Sequence, residues 1–246
     1  MSKVEPCSLM FYMLVLKYMK KPTFVNNEIY HVYNRGVEKR KIFLDKQDFL
    51  RFIHCMFEFN DEIHNINTLR KLNSKNENNK KKKRNPLVEI LIFCLMPNHF
   101  HFILKQKRDD GIIKFMQKLG TGYAMYFNQK YDRVGGLFQG RFKAVLIEKE
   151  PHFIHLPYYI HLNPIELINP KWKEKKIKNI KETINFLNSY RWSSYLDYIG
   201  IKNFPSVTSR ELLSEFFNGP KEYKLATEKW LKEIDLEQLQ NIIIEK

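Results

Sequence analysis

Residues 87–105 read LVEILIFCLMPNHFHFILK, and this stretch decides the fold. Its first part, 87–95, is almost wholly apolar, as in a strand that is buried on both faces. A Pro-Asn turn follows, and 99–105 then reads as the second strand of the same hairpin. The stretch therefore predicts a β-hairpin whose turn places His99 and His101 at the start of its second strand.

The segments that flank the hairpin predict the rest of a small sheet. We expect strands at 29–34 and 142–147 and helices at 46–58, 112–127 and 151–162, because apolar side chains recur there at strand or helix spacing. The order β-α-β-β-α-β-α is the split arrangement of ferredoxin-like domains, an antiparallel sheet with two helices on one face. The prediction is therefore an α+β fold with one added helix and a helical C-terminal accessory segment.

Three parts are expected along the chain. Residues 1–24 should be a disordered extension, 25–168 the main domain, and 169–246 the helical accessory segment. Within the main domain, 69–86 is rich in Lys and Asn and cannot bury a core, which predicts a basic loop. This loop is either a solvated linker or an arm that contacts phosphate groups.

The composition is strongly basic, with 42 Lys and Arg against 27 Asp and Glu and a formal net charge of +15. Such an excess indicates a polyanionic partner, and nucleic acid is the first candidate. An anionic membrane would require a basic amphipathic helix or a long apolar span, and neither is evident, so no membrane partner is expected.

The cysteines favour a reducing compartment. Cys7, Cys55 and Cys94 are odd in number, widely spaced and never arranged as C-x-x-C. Neither a disulfide framework nor a zinc-thiolate site is therefore expected, and the cytoplasm is the predicted location.

His99 and His101 alternate with apolar residues on the predicted strand, so both imidazoles project from one face. The pair is either a set of converging metal ligands or two polar residues that are exposed beside a turn. A metal ion that is bound by two imidazoles and one amide oxygen would have coordination positions left open for phosphate oxygens. Such a site suits Mg²⁺ or Mn²⁺ better than a closed zinc site.

Tyr159 and Asn163 lie four residues apart on the last predicted helix and share one of its faces. Tyr159 could act as a nucleophile and Asn163 as a metal ligand. The other interpretation is a core tyrosine followed by an asparagine that ends the helix. Tyr158 is a rival nucleophile, and His155 and His161 are further options for a ligand or base, although structural or DNA-facing roles suit them better.

Two more features bear on this region. Pro157 interrupts the predicted helix just before Tyr159, so the helix should either start at Leu156 or be kinked. Arg141 and Lys143 alternate along the fourth strand and should place two positive charges on one face. They either contact phosphate groups or form a solvated basic edge.

Five motifs occur together in a fixed order. They are YHVYNRG at 30–36, MPNHFH at 96–101, GLFQGRFK at 136–143, YIHLNP at 159–164 and RWSSY at 191–195. This set resembles the REP-associated tyrosine transposases, which are single-tyrosine HUH transposases. The resemblance implies that 25–168 is an HUH transposase catalytic domain.

The resemblance also implies roles for individual residues. His99 and His101 would be the HUH metal ligands, with Asn163 completing the shell around Mg²⁺ or Mn²⁺ as cofactor, and Tyr159 would be the nucleophile. Tyrosine attack on single-stranded DNA near a hairpin would leave a 5′-phosphotyrosine link and a free 3′-OH, with no need for ATP. The DNA contacts expected from the matching motifs are Arg35, Arg141 and Lys143.

The expected partner is single-stranded or hairpin DNA, bound by a monomer or homodimer. Two other function classes remain open at this stage. A basic ferredoxin-like module could hold hairpin nucleic acid without cutting it, and a metal-dependent hydrolase could cleave nucleic acid with water.

Overall fold

The computed structural model describes residues 22–62, 84–148, 150–173, 177 and 179–233. Residues 1–21 of the expected extension and 69–83 of the expected basic loop lie outside these ranges. Within the described parts, the elements follow the predicted order β-α-β-β-α-β-α, and the fold is α+β.

Each predicted element of the main domain is present with ends shifted by a few residues at most. The strands are β1 (Ile29–Arg35), β2 (Val88–Met96), β3 (His99–Gln106) and β4 (Lys143–Leu146). The helices are α1 (Lys46–Phe59), α2 (Gly111–Lys130) and α3 (Glu150–Leu162). After them come α4 (Ile180–Ser189), α5 (Tyr195–Tyr198), α6 (Glu211–Phe216) and α7 (Pro220–Glu233).

Pro157 neither starts nor ends α3, which begins at Glu150 and includes the proline. The prediction of a helix over 151–162 is therefore confirmed, and of the two alternatives for Pro157 the start at Leu156 does not occur. Because proline lacks an N–H, the carbonyl of Phe153 receives no hydrogen bond from position 157. The tight packing of α3 against the sheet compensates for that loss, since Leu156, Tyr159 and Ile160 are buried.

The sheet has the strand order β2-β3-β1-β4, and every neighbouring pair is antiparallel. This is the order that the split ferredoxin-like arrangement requires. One face packs on α1 and α2 and forms the first core, which includes Val32, Phe100 and Phe102. Between these two helices, a Cβ on Gly122 would lie 2.5 Å from the Phe59 ring, so a larger residue there would have to displace that ring.

The opposite face of the sheet forms a second core with α3 and the C-terminal segment. Cys94 and Ile103 supply the sheet side of this core, while Tyr159 and Trp172 are fully buried on the other side. The added helix and the two helices of the ferredoxin-like unit therefore lie on opposite faces. His99 and His101 share the face of the second core, because they alternate with Phe100 and Phe102 on β3.

The RWSSY motif binds the outer edge of β2. Trp192 O accepts from Leu95 N at 2.9 Å, and Ser194 N donates to Phe93 O at 3.0 Å. The Ser194 hydroxyl also accepts from Phe93 N at 3.0 Å. On the other side, the Trp192 ring stacks on Phe49 of α1 with centroids 4.6 Å apart. This motif thus joins the C-terminal segment to the sheet by main-chain pairing.

A buried carboxylate joins the start of α1 to the end of α2. Asp48 forms a capping box with Asp45 and also accepts hydrogen bonds from Tyr126, Lys130 and Tyr131 at 2.8–3.0 Å. Burial alone would raise the pKa of Asp48, but these bonds outweigh it and hold that pKa below its ordinary value. The stabilisation is therefore present above the unfolded-state pKa and is lost as the pH falls through the folded-state value.

We predict that Asp48→Asn lowers the free energy of unfolding by about 2 kcal/mol at neutral pH, because the buried acceptor of the hydrogen bonds from Tyr126, Lys130 and Tyr131 loses its charge. Asp45→Asn is the matched control, since asparagine caps a helix as well as aspartate and Asp45 pairs with the same Lys130 from an exposed position. Urea unfolding at pH 7 and pH 3 measures both. The loss in Asp48→Asn should shrink at low pH, and equal losses at both pH values would contradict the role given to the carboxylate.

Candidate nucleophile and metal centre

One row of side chains on the second-core face links the four strands of the sheet. Across the row, Cys94 pairs with His101, His101 with Tyr33, and Tyr33 with Lys143. Paired residues on neighbouring strands project to the same face, so these four side chains are neighbours. His101 stands near the middle of this row and is fully buried.

Both hairpin histidines have the Nδ1 atom engaged. His99 Nδ1 lies 2.7 Å from Oδ1 of Asn98, and His101 Nδ1 lies 3.1 Å from Nε2 of His31. An amide oxygen can only accept, so His99 carries its proton on Nδ1 and its lone pair on Nε2. Histidines that bind metals usually engage one ring nitrogen in this way and use the other as the ligand.

Burial keeps His101 in the form that a metal binds. It lowers the pKa of His101 to about 3, and the nearby Lys173 ammonium acts in the same direction. The ring is therefore neutral at physiological pH. Metal ions bind the neutral imidazole, so no proton has to be removed at this position.

Tyr159 lies on the side of α3 that faces these histidines. Its ring centroid is 6.4 Å from that of His101, and the two rings meet edge to face. One turn later, Asn163 begins a short 3-10 helix and donates through Nδ2 to Tyr159 O at 3.2 Å. The structure thus brings Tyr159, Asn163 and His101 into one buried region.

The rival tyrosine belongs to a different environment. Tyr158 stacks on Tyr223 with centroids 5.2 Å apart and packs on Phe217 at 5.3 Å. Burial raises the pKa of Tyr158 to about 12, which makes deprotonation of this hydroxyl harder. Periodicity alone cannot distinguish these adjacent residues, whereas their packing separates them clearly.

The two α3 histidines that were options for a ligand or base form hydrogen bonds with the C-terminal segment. His161 is held between the Tyr223 hydroxyl at 2.7 Å and the Ser194 hydroxyl at 2.8 Å. His155 Nδ1 accepts from Trp230 Nε1 at 3.3 Å. Both therefore help to attach the C-terminal segment to α3.

Lys173 is a member of this region that sequence reasoning missed. Its ammonium donates to the Tyr159 hydroxyl at 3.2 Å and to Asn163 Oδ1 at 3.3 Å, and it pairs with Glu166 at 3.2 Å. The motif Pro-Lys-Trp-Lys gave no chemical signal and lay in the expected accessory segment. His31 was missed as well, although its alternation with Tyr33 on β1 is visible in the sequence.

The donor set fits a divalent ion in the chemistry of its atoms. Among the described residues, no group of three or more His, Cys, Asp or Glu side chains is arranged to hold a metal. The candidate set has only two such ligands, His99 and His101, and its third donor is the amide oxygen of Asn163. That oxygen accepts a hydrogen bond from the Lys173 ammonium at 3.3 Å.

The expected DNA contacts lie at the rim of this face. Arg35, Arg141 and Lys143 are all exposed. Arg35 pairs with His99 in the sheet and donates through Nε to Gln139 Oε1. The alternation with Lys143 had placed Arg141 on the fourth strand. In the structure, β4 begins at Lys143, and Arg141 lies in the bend before it.

None of the helices in the described parts of the chain is long and apolar enough to cross a membrane.

Comparison with known proteins finds one family model that matches part of the chain. A family model described as "Transposase IS200 like" matches residues 53–163, somewhat under half of the chain. That range contains His99, His101, Tyr159 and Asn163. No curated protein matches the chain significantly.

Two solved structures resemble the chain more distantly. A REP-associated tyrosine transposase bound to a REP hairpin has 13% identity and a TM-score of 0.43, over 78% of this chain and 92% of that one. The tRNA(His) guanylyltransferase of Saccharomyces cerevisiae has 12% identity and a TM-score of 0.32, over 94% and 82%. These low scores add nothing to the family match. Residues 53–163 are thus similar to the IS200-like transposases.

Proposed function

We propose that this protein is a transposase that nicks and rejoins single-stranded DNA near hairpin ends through a covalent 5′-phosphotyrosine at Tyr159. The observation that carries the proposal is the placement of one tyrosine. The Tyr159 ring lies 6.4 Å from that of His101, and its hydroxyl accepts from Lys173. The neighbouring Tyr158 packs on Phe217 and Tyr223 instead.

The proposed reaction exchanges one phosphate ester for another. The phenolic oxygen of Tyr159 forms a bond to phosphorus while the bond from phosphorus to the 3′ oxygen breaks. The phenolic proton leaves to solvent, and the departing 3′ oxygen takes up one proton. The number of ester bonds is unchanged, so the free 3′-OH can reverse the step without ATP.

His99, His101 and Asn163 are the residues that would hold Mg²⁺ or Mn²⁺. When bound, such an ion would polarise the scissile phosphate and offset the charge that develops on it. The contacts from His31 to His101 and from Asn98 to His99 orient the two imidazoles before any ion arrives. These two contacts support metal dependence because they fix which nitrogen faces the site.

The charge distribution supports DNA as the substrate. The full chain carries a formal net charge of +15, and Arg35, Arg141 and Lys143 are exposed near the end of β1 that pairs with His99 and His101. Basic side chains gain affinity for DNA by releasing counterions from its phosphates. We propose these three residues as phosphate contacts, in a cytoplasmic protein that acts as a monomer or homodimer.

We predict that Tyr159→Phe abolishes formation of a protein-DNA adduct that survives SDS, because only the hydroxyl can attack phosphorus. The substrate is labelled single-stranded DNA that carries a palindromic hairpin with single-stranded flanks, incubated with Mn²⁺. Tyr158→Phe is the matched control, since it removes one hydroxyl from the adjacent residue. This variant should still form the adduct.

Three outcomes of that experiment contradict the proposal. Cleavage without any adduct would indicate a hydrolase that uses water, and tight binding with neither product would indicate a binding module. An adduct that persists in Tyr159→Phe but disappears in Tyr158→Phe would assign the chemistry to the other tyrosine.

We also predict that His31→Phe weakens Mn²⁺ binding by about 10- to 100-fold, because the imidazole that orients His101 through its Nδ1 atom is lost. Electron paramagnetic resonance of free Mn²⁺ measures this affinity without DNA. His54→Phe, at an exposed histidine of α1, is the control and should bind Mn²⁺ like the wild type. Equal affinities for His31→Phe and His54→Phe would show that His31 does not support the metal site.

A further inference from the structure

The ammonium of Lys173 lies among three oxygen atoms of different chemistry. It donates to the phenolic oxygen of Tyr159, to the amide oxygen of Asn163 and to the carboxylate of Glu166, at 3.2, 3.3 and 3.2 Å. One cation thus touches both the candidate nucleophile and a candidate metal ligand. A surface ion pair with Glu166 alone would not require the other two contacts.

The local backbone holds Lys173 in this place. The preceding residue, Trp172, is fully buried in the second core, and its N–H donates to Asn169 O at 3.1 Å. Asn169 in turn donates to Ile165 O at 2.7 Å, so the segment folds back on the short helix that carries Asn163. Lys173 therefore extends from an anchored turn.

Aromatic rings line the path of this side chain. The Lys173 ammonium lies 5.1 Å from the centre of the Tyr159 ring and 5.7 Å from that of Trp172. A cation at such distances is attracted by the electron-rich faces of the rings. The Lys173 side chain is 24% exposed, so its charge is partly shielded from water, and its interactions are stronger than on an open surface.

A phosphate that is placed for attack must come close to the same ammonium. The phenolic oxygen has to approach phosphorus to about 3–3.5 Å before the bond forms. Because Lys173 Nζ already lies 3.2 Å from that oxygen, the non-bridging oxygens of the phosphate come within its reach. A fixed positive charge at this point stabilises the negative charge that builds up during transfer.

We propose that Lys173 is a further catalytic residue of the centre, one that orients the Tyr159 hydroxyl and binds the phosphoryl oxygens during transfer. This inference rests on the proposed function and deepens it. Lys173 lies beyond the family match at 53–163, so the role is assigned from this chain's own contacts.

The test compares Lys173→Met with Lys171→Met, a matched control that removes the same charge from an exposed position two residues away. Single-turnover adduct formation and DNA affinity are measured separately on the same hairpin-bearing DNA with Mn²⁺. Lys173→Met should slow adduct formation by about 100- to 1000-fold, the effect of removing one positioned donor. Its DNA affinity should stay close to that of Lys171→Met, because each variant loses one positive charge.

Lys173→Arg provides the second variant if Lys173→Met folds poorly in a melting experiment. Arginine keeps the charge but not the compact ammonium, so its rate should fall between those of Lys173→Met and the wild type. Glu166→Gln should lose less activity than Lys173→Met, because the contacts to Tyr159 and Asn163 remain.

Three results would overturn the inference. In the first, Lys173→Met forms the adduct as fast as Lys171→Met. In the second, the two Lys→Met variants lose DNA affinity, but their rates at saturating DNA equal that of the wild type. In the third, Glu166→Gln is as slow as Lys173→Met. The first two would reduce Lys173 to a general charge, and the third would make it part of a structural ion pair. Comparing adduct formation by the wild type and by Tyr159→Phe tests the proposed function separately. If the wild type forms no adduct that depends on Tyr159, both the proposed function and this inference are wrong.

Discussion

The alternation of side chains along β3 is the constraint on which the rest of the structure depends. Phe100 and Phe102 enter the first core, so His99 and His101 must face the other side of the sheet. A slip of one residue in strand pairing would place the imidazoles among aromatic rings and the phenylalanines beside α3. The burial of apolar rings on one face therefore holds the candidate chemistry in place on the opposite face.

Most of the main domain could be predicted from the sequence because its signals are local. Turn residues and apolar periodicity depend on near neighbours along the chain, and they gave β2, β3 and the order of elements. The N-terminal end of α3 was harder, because a proline inside a helix is tolerated only where packing compensates for it. That packing comes from the sheet, and the local sequence does not reveal it.

Only part of the candidate site could be predicted from the sequence, because only part of it depends on local signals. His99, His101, Tyr159 and Asn163 carry their pattern within one strand or one helix turn. His31 matters because of the pairing between β1 and β3, and Lys173 because a turn beyond α3 folds back on it. Contacts of this kind join residues far apart in the chain, and spacing within one segment cannot indicate them.

The pairing of the RWSSY segment with β2 has a consequence for assembly. An uncovered strand at the edge of a sheet can recruit a strand from another molecule, which leads to sheet extension or aggregation. Here the main-chain groups of Phe93 and Leu95 are already bonded to Trp192 and Ser194, and the Tyr198 hydroxyl donates to Leu91 O at 2.8 Å. Two copies of this protein therefore cannot join by adding strands along β2, and a homodimer would have to use another surface.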